Sequence, residues 1–161
     1  MKLKNITLAA MFAAIVCILT YVVKIPLHNG YANIGDVCVL VVGMFLPPFY
    51  AFLASGIGSM LSDLFSGYAI YAPVTFIIKG CMSLIVIFLS RLLNKKMNKA
   101  FSLIICFIIA EVFMAFGYYL YEGILYGFKA SLVNIPFNLL QGGISIIIAI
   151  LLYHPLSKIK K

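Results

Sequence analysis

Lys79 lies inside the apolar run APVTFIIKGCMSLIVIFL, and Glu111 lies inside FSLIICFIIAEVFMAFGYYL. An ionisable group in hydrocarbon costs at least ~2.5–3.5 kcal/mol on insertion scales, so each marks a functional position by default. One group of each sign fits a polar ligand held between them, or a structural ion pair joining two helices. Asn134, Asn138 and Gln141 follow i, i+4, i+7 spacing, which sets three amides on one helix face. Such amides orient a ligand or hydrogen-bond between helices. Asn33 and Asp36 stand at the start of another apolar segment, where the Asp36 carboxylate also suits a helix N-terminus. Asp63 closes a third segment near Tyr68 and Tyr71, whose rings suit ligand stacking or an interfacial aromatic belt.

The chemistry these groups support is binding. There is no H-E-x-x-H, no paired-aspartate motif for prenyl-diphosphate chemistry, and no Ser/His pair at matching depth. Gly35-Asp36 lacks the second aspartate an intramembrane aspartyl protease needs, so the chain does not read as an enzyme. It also lacks G-x-x-x-x-G-K-[ST], so any ATP must be used by partner subunits and the chain carries no cofactor itself. Cys17, Cys38, Cys81 and Cys106 stand alone in separate apolar segments, which supports neither a zinc site nor a disulfide framework. His28 falls in a loop and His154 near a segment end, and both read as incidental.

These groups must be positioned within a membrane. At 161 residues, 65% hydrophobic and 10% charged, the chain is far from the roughly half apolar, quarter charged soluble norm. Residues 1–161 read as one transmembrane substrate-binding domain. The net charge of +8 collects at boundaries. Lys2 and Lys4 precede the first run, Arg91, Lys95, Lys96 and Lys99 fill one hinge, and Lys158, Lys160 and Lys161 close the chain. These are orientation signals rather than a nucleic-acid surface. MKLKNITLAAMFAAIVCILTYVV imitates a signal peptide but reads as a retained first transmembrane helix.

Helices satisfy the backbone in lipid most economically, and a span needs about 20 residues. Six segments emerge, at roughly 5–24, 34–47, 49–65, 72–92, 100–121 and 134–153, with Pro47-Pro48 making a tight reversal. The predicted fold is therefore all-α, six transmembrane helices in one compact bundle with both termini cytoplasmic. Three connections face outward: Lys24 to Asn33, Ser66 to Tyr71, and Glu122 to Val133. At ~1.5 Å rise per residue, Lys79 sits roughly 10 Å and Glu111 roughly 15 Å below the outer surface. The unusual polarity thus converges on the outward half, as an enclosed site for a small polar molecule requires.

Small residues recur four apart in two places. Ala9-x-x-x-Ala13 and Ala10-x-x-x-Ala14 lie in segment one, and Ala51/Ser55/Ser59 and Ala54/Gly58/Ser62 in segment three. Such spacing lets helices approach closely, and in segment three internal packing is the expected use.

Read in order, these features resemble the substrate-binding S component of an energy-coupling factor (ECF) vitamin transporter. The resemblance rests on a basic N-terminus leading into the doubled alanine motif and on Asn33-Ile34-Gly35-Asp36. It continues through the small-residue run Ala54 to Ser59, through Asp63 to Tyr68, and on to Tyr71-Ala72-Pro73. It spans essentially the whole chain. It implies a bacterial plasma-membrane protein that binds a water-soluble vitamin tightly near the outer face. It implies association, through Ala9, Ala10, Ala13 and Ala14, with a transmembrane coupling protein that carries two cytoplasmic ATPases. The bound component would topple in the membrane to release its cargo, with the first outer loop and the loop before Pro73 as gates. Pyridoxine-like or hydroxymethylpyrimidine-like substrates are favoured, because SGYAIYAP is similar to S components assigned to them. Pantothenate also fits, with Lys79 taking its carboxylate. A flavin is less suited without tryptophan, although Phe and Tyr can stack, and cobalt or nickel is unsupported without a histidine cluster. The alternative is a stand-alone small secondary transporter or channel, although no inverted repeat supports it. A structural or assembly membrane protein is a third possibility, and it would bind no small molecule.

Overall fold

In the computed structural model the residues described are 2–27 and 30–159. Met1, His28, Asn29, Lys160 and Lys161 lie outside them, and with them the expectations for His28 and the last two lysines. Helix α1 runs Lys2–Val22. Strands β1 (Lys24–Leu27) and β2 (Gly30–Asn33) pair antiparallel, with Lys24 opposite Asn33 and Pro26 opposite Tyr31. Helix α2 spans Asp36–Phe45 and α3 Pro48–Phe65. Pro47 is extended and Pro48 takes the first helical position, where a missing N–H costs nothing, so the pair reverses the chain. Helix α4 is Ala72–Leu93. Helix α5, Lys99–Tyr126, starts at Asn98, whose side chain accepts from the Ala100 N–H at 2.9 Å, and stops at Gly127 with φ +92°. A one-turn helix α6 (Phe128–Ser131) and a 3₁₀ turn (Leu132–Asn134) lead into α7, Ile135–Ile159.

Each predicted segment falls on a helix, and two features depart from the expectation. The first outer connection is a β-hairpin, so the chain is not wholly α-helical. The third is shorter than expected, because α5 continues to Tyr126 and places Glu122 inside a helix rather than in a loop. Among the described residues four helical stretches are long and apolar enough to cross a membrane: Leu3–Val22, Ala72–Leu93, Lys99–Tyr126 and Phe128–Tyr153. Helix α2, at 10 residues, rises only about 15 Å, half a hydrocarbon core. It follows β2 after only Ile34 and Gly35.

Helix α3 packs between α1 and α4, α5 between α4 and α7, and α2 against α4 and α7. The small residues of α3 serve this packing, since Ala51, Ala54, Ser55, Gly58, Ser59 and Ser62 are all buried. A Cβ at Gly58 would stand 2.4 Å from the Ala13 carbonyl oxygen and 2.9 Å from Val16 Cβ. Backbone cannot retreat as a side-chain tip can. Gly58→Val is therefore expected to push α1 off α3 and cost about 1–3 kcal/mol or more, read as a lowered midpoint of thermal unfolding in detergent.

Candidate ligand-binding site

The hairpin end of the bundle encloses a polar space. Its walls come from Thr20 on α1, Tyr31 and Asn33 on β2, Ser59 and Asp63 on α3, and Tyr68 and Tyr71 in the α3–α4 connection. Thr75 and Lys79 on α4, Tyr118 and Glu122 on α5, Asn134 in the 3₁₀ turn, and Asn138 and Gln141 on α7 complete them. Asn33, Asp63, Tyr68, Tyr71, Lys79, Asn134, Asn138 and Gln141, all assigned from the sequence, are brought together here. Asp36 and Glu111 are not among the lining residues.

Asp36 supports the site from behind. Its carboxylate forms an ion pair with the Lys79 ammonium, both residues buried, and accepts from Gln141 Nε2. It makes no side-chain helix cap. This corrects the alternative reading of a structural Lys79–Glu111 ion pair, since Lys79 pairs with Asp36 of α2. Glu111 is 4% exposed, and neither of its carboxylate oxygens has a hydrogen-bond partner. It packs against Gly142, where an added Cβ would lie 2.9 Å from Glu111 Cβ. Glu111 stands seven residues before Tyr118, on the same α5 face but about 10 Å deeper, which places it beneath the space rather than in its wall.

The remaining lining groups form a network across elements. Gln141 Oε1 accepts from the Asn33 backbone N–H at 2.7 Å, joining α7 to the hairpin. Tyr31 donates to Asp63 Oδ1 at 2.5 Å, and Lys24 donates to Ser66 Oγ at 2.9 Å, joining the hairpin to the end of α3. Burial, with the Asp63 carboxylate beside it, pushes the Tyr31 phenol above its ordinary range, so it remains a donor at any physiological pH. Asn134 Nδ2 donates to Glu122 Oε2 at 2.9 Å, and Tyr71 approaches Glu122 Oε1 at 3.4 Å. Thr75 and Tyr118 share a hydrogen bond of 3.0 Å.

Aromatic rings cover this network. Tyr31 and Tyr68 lie 5.2 Å apart between centroids, Tyr68 and Tyr71 6.3 Å, and Tyr71 and Tyr121 5.6 Å. Tyr121 also donates to the Ile70 carbonyl, fixing the α3–α4 connection to α5. The Lys79 ammonium stands 5.4 Å from the Tyr118 ring centroid.

Three lining residues retain buried polar atoms without hydrogen-bond partners: Ser59 Oγ, Asp63 Oδ2 and Asn134 Oδ1. Buried polar groups are normally satisfied, so these atoms point to a polar guest. The space open to the centre of a water molecule is about 40 Å³, a few waters' worth, whereas ligand pockets run to about 300 Å³ and above. A vitamin-sized guest therefore requires the walls to move. The hairpin is tied to the bundle by hydrogen bonds from Lys24, Tyr31 and Asn33, each worth about 0.5–1.5 kcal/mol net.

Thr20, Tyr31, Ser59, Thr75, Tyr118 and Glu122 escaped the sequence reading. Two of them were within reach. Ser59 and Thr75 stand one turn before Asp63 and Lys79 on an i, i+4 face. Among the described residues no group of three His, Cys, Asp or Glu side chains could hold a metal ion. The four cysteines are free thiols on separate helices.

At the opposite flank of α1 the alanine motif divides. Ala10 and Ala14 are exposed, while Ala9 and Ala13 are half-buried and pack toward α3. All four line one apolar groove with Phe49, Leu53 and Ile57 of α3.

Comparison with known proteins agrees with this architecture. A model of the family described as "ECF-type riboflavin transporter, S component" matches residues 1–158. A solved structure described as "Structure and mechanism of the S component of a bacterial ECF transporter" is similar with a TM-score of 0.79. It is 25% identical, over 100% of this chain and 99% of that one. A curated relative from Pyrococcus woesei, described as "Uncharacterized protein in gap 3'region", is 29% identical over 135 residues. That match covers 83% of this chain and 88% of the relative.

Proposed function

The chain belongs to the ECF-type riboflavin transporter S component family, and from that premise we propose that it captures one small water-soluble vitamin or precursor for an ATP-driven importer. It is a multi-pass membrane protein of a transport family, not of an enzyme family. The observation that carries the proposal is the wall of amides, carboxylates, one lysine and tyrosines closed over by the hairpin, with polar atoms left unpartnered inside. Its guest is a compact ring with hydroxyl and ring-nitrogen groups. The tyrosines stack on the ring, while Asn134, Asn138 and Gln141 fix its orientation. Pyridoxine-like or hydroxymethylpyrimidine-like ligands match this best. Pantothenate would place its carboxylate at Lys79.

Riboflavin is the second reading, favoured by the description of the matching family. Tyr31, Tyr68, Tyr71 and Tyr118 around the space supply the stacking surface that a chain without tryptophan otherwise lacks. The larger flavin requires a wider displacement of the hairpin.

In this mechanism the hairpin is the gate. A guest that hydrogen-bonds Gln141 or Asp63 competes with Asn33 and Tyr31 for the same atoms, so occupancy of the site and the hairpin's position are linked. The alanine groove of α1 and α3 is the docking face for a transmembrane coupling protein carrying two cytoplasmic ATPases, and the positive charge of the lysine-rich hinge and tail supports cytoplasmic termini.

The test is thermal unfolding of the purified chain against pyridoxine, hydroxymethylpyrimidine, pantothenate, riboflavin, thiamine, folate and biotin. A ligand at 100 times its dissociation constant adds about 2.7 kcal/mol of stability. Pyridoxine or hydroxymethylpyrimidine is expected to give that rise. A rise with riboflavin alone selects the second reading, and a flat panel with ligand-free protein sinks the vitamin-binding proposal. Substrate uptake by vesicles holding this chain alone would instead establish a stand-alone transporter.

A further inference from the structure

A second cavity lies at the end of the bundle away from the hairpin, about 530 Å³ in volume, where α2 and α4 end, α5 begins and α7 passes at Tyr153. Its floor is apolar, with Leu46, Ile87 and Leu103, and its rim carries Arg91, Asn94 and Lys99. Arg91 and Lys99 are exposed. Each stands by an aromatic ring, the Arg91 guanidinium 5.8 Å from the Phe88 centroid and the Lys99 ammonium 5.8 Å from that of Tyr153.

No acidic side chain lines this cavity. The chain has only four acidic residues, and all of them are buried: Asp36 at 1% exposure, Asp63 at 5%, and Glu111 and Glu122 at 4%. Three belong to the ligand site or support it, and the fourth lies beneath it. The two cations on the rim therefore face no carboxylate side chain, which leaves them available to an anion from another molecule. Orienting the chain in the membrane needs cations in the hinge, but it does not need them around a cavity with an apolar floor.

We propose that this cavity holds the headgroup of an anionic phospholipid, with its phosphate between Arg91 and Lys99. A guanidinium fork suits phosphate oxygens, and an ammonium adds a point charge. The Asn94 amide supplies a further donor. The apolar floor receives the glycerol carbons and the first methylenes, which a free phosphate lacks. Basic pockets between transmembrane helices are recurrent sites for anionic headgroups. A lipid seated here joins the ends of α2, α4, α5 and α7.

The experiment compares the full chain in phosphatidylcholine nanodiscs with and without phosphatidylglycerol, counting retained lipid by native mass spectrometry. The Arg91→Gln/Lys99→Gln double variant is set against Lys95→Gln/Lys96→Gln, which removes the same charge from exposed positions outside the cavity. One phosphatidylglycerol per chain is expected to stay bound. Its affinity should fall about 30-fold in the first variant, roughly fivefold per cation, and less than about twofold in the second. Both variants should unfold at the parent temperature in pure phosphatidylcholine. Equal loss in the two variants would reduce the effect to diffuse hinge charge and overturn the site. So would equal retention of phosphatidylcholine, or a lower unfolding temperature of the first variant without anionic lipid. If inorganic phosphate alone reproduces the phosphatidylglycerol effect, the ligand is a free anion and the lipid assignment fails.

Discussion

Lys79→Ala is expected to cost about 3–5 kcal/mol of stability, because it leaves the Asp36 carboxylate buried without its cation. Asp36 is 1% exposed and keeps only the Gln141 amide as partner. For a chain of this size the loss lowers the unfolding midpoint by about 10 °C. The same substitution also removes a cation from the ligand wall, so stability and affinity fall together and must be separated. Adding Asp36→Asn to Lys79→Ala removes the stranded charge while an amide can still meet Gln141. The double variant should therefore recover most of the midpoint and still bind vitamin weakly. Thermal unfolding followed by calorimetric titration with the stabilising vitamin measures both. A midpoint unchanged by Lys79→Ala would mean that the pair contributes nothing to folding. Full recovery of binding in the double variant would mean that Lys79 acts only through Asp36.

The same pair shows what the sequence makes legible. That Lys79 required a buried partner followed from its place in an apolar run. Which carboxylate it met did not follow, because helical rise sets depth along each segment and says nothing about which helices are neighbours. By helical rise Glu111 was the nearer match to Lys79, since Asp36 stood at the start of its segment. Both α2 and α5 pack on α4, and it is Asp36 of α2 that meets Lys79. The amides were easier. Asn134, Asn138 and Gln141 share one face by periodicity alone, and all three reach the same space. Tyr31 and Thr20 depended on the hairpin folding back over the end of α1, a non-local contact that no periodicity encodes. Glu122 was placed in a loop because the fifth apolar segment was taken to end at residue 121. The helix nevertheless continues to Gly127, where a positive φ ends it.

Ala10→Trp and Ala14→Trp are expected to abolish vitamin uptake, by 100-fold or more, while leaving ligand affinity within about twofold; this rests on the assignment of the α1 groove to the coupling protein. The four alanines are not equivalent. Ala13 sits against α3, where its carbonyl would be 2.4 Å from a Cβ at Gly58, so bulk at Ala13 disturbs internal packing as well as any external partner. Ala10 and Ala14 are exposed, and an indole there projects away from the bundle. Within the range described, α1 fully buries only Val16 and Thr20, so its outer face has little internal work to do. A small-residue face lets a second backbone approach within van der Waals contact, and two indoles hold it several ångströms away. Helix contact in lipid rests on that close packing, since the surrounding tails are as apolar as the helices themselves. The measurement pairs uptake of radiolabelled vitamin in cells with binding to the purified variants. Loss of both would return the motif to internal packing. Retention of uptake in both variants would move the coupling surface elsewhere on the bundle.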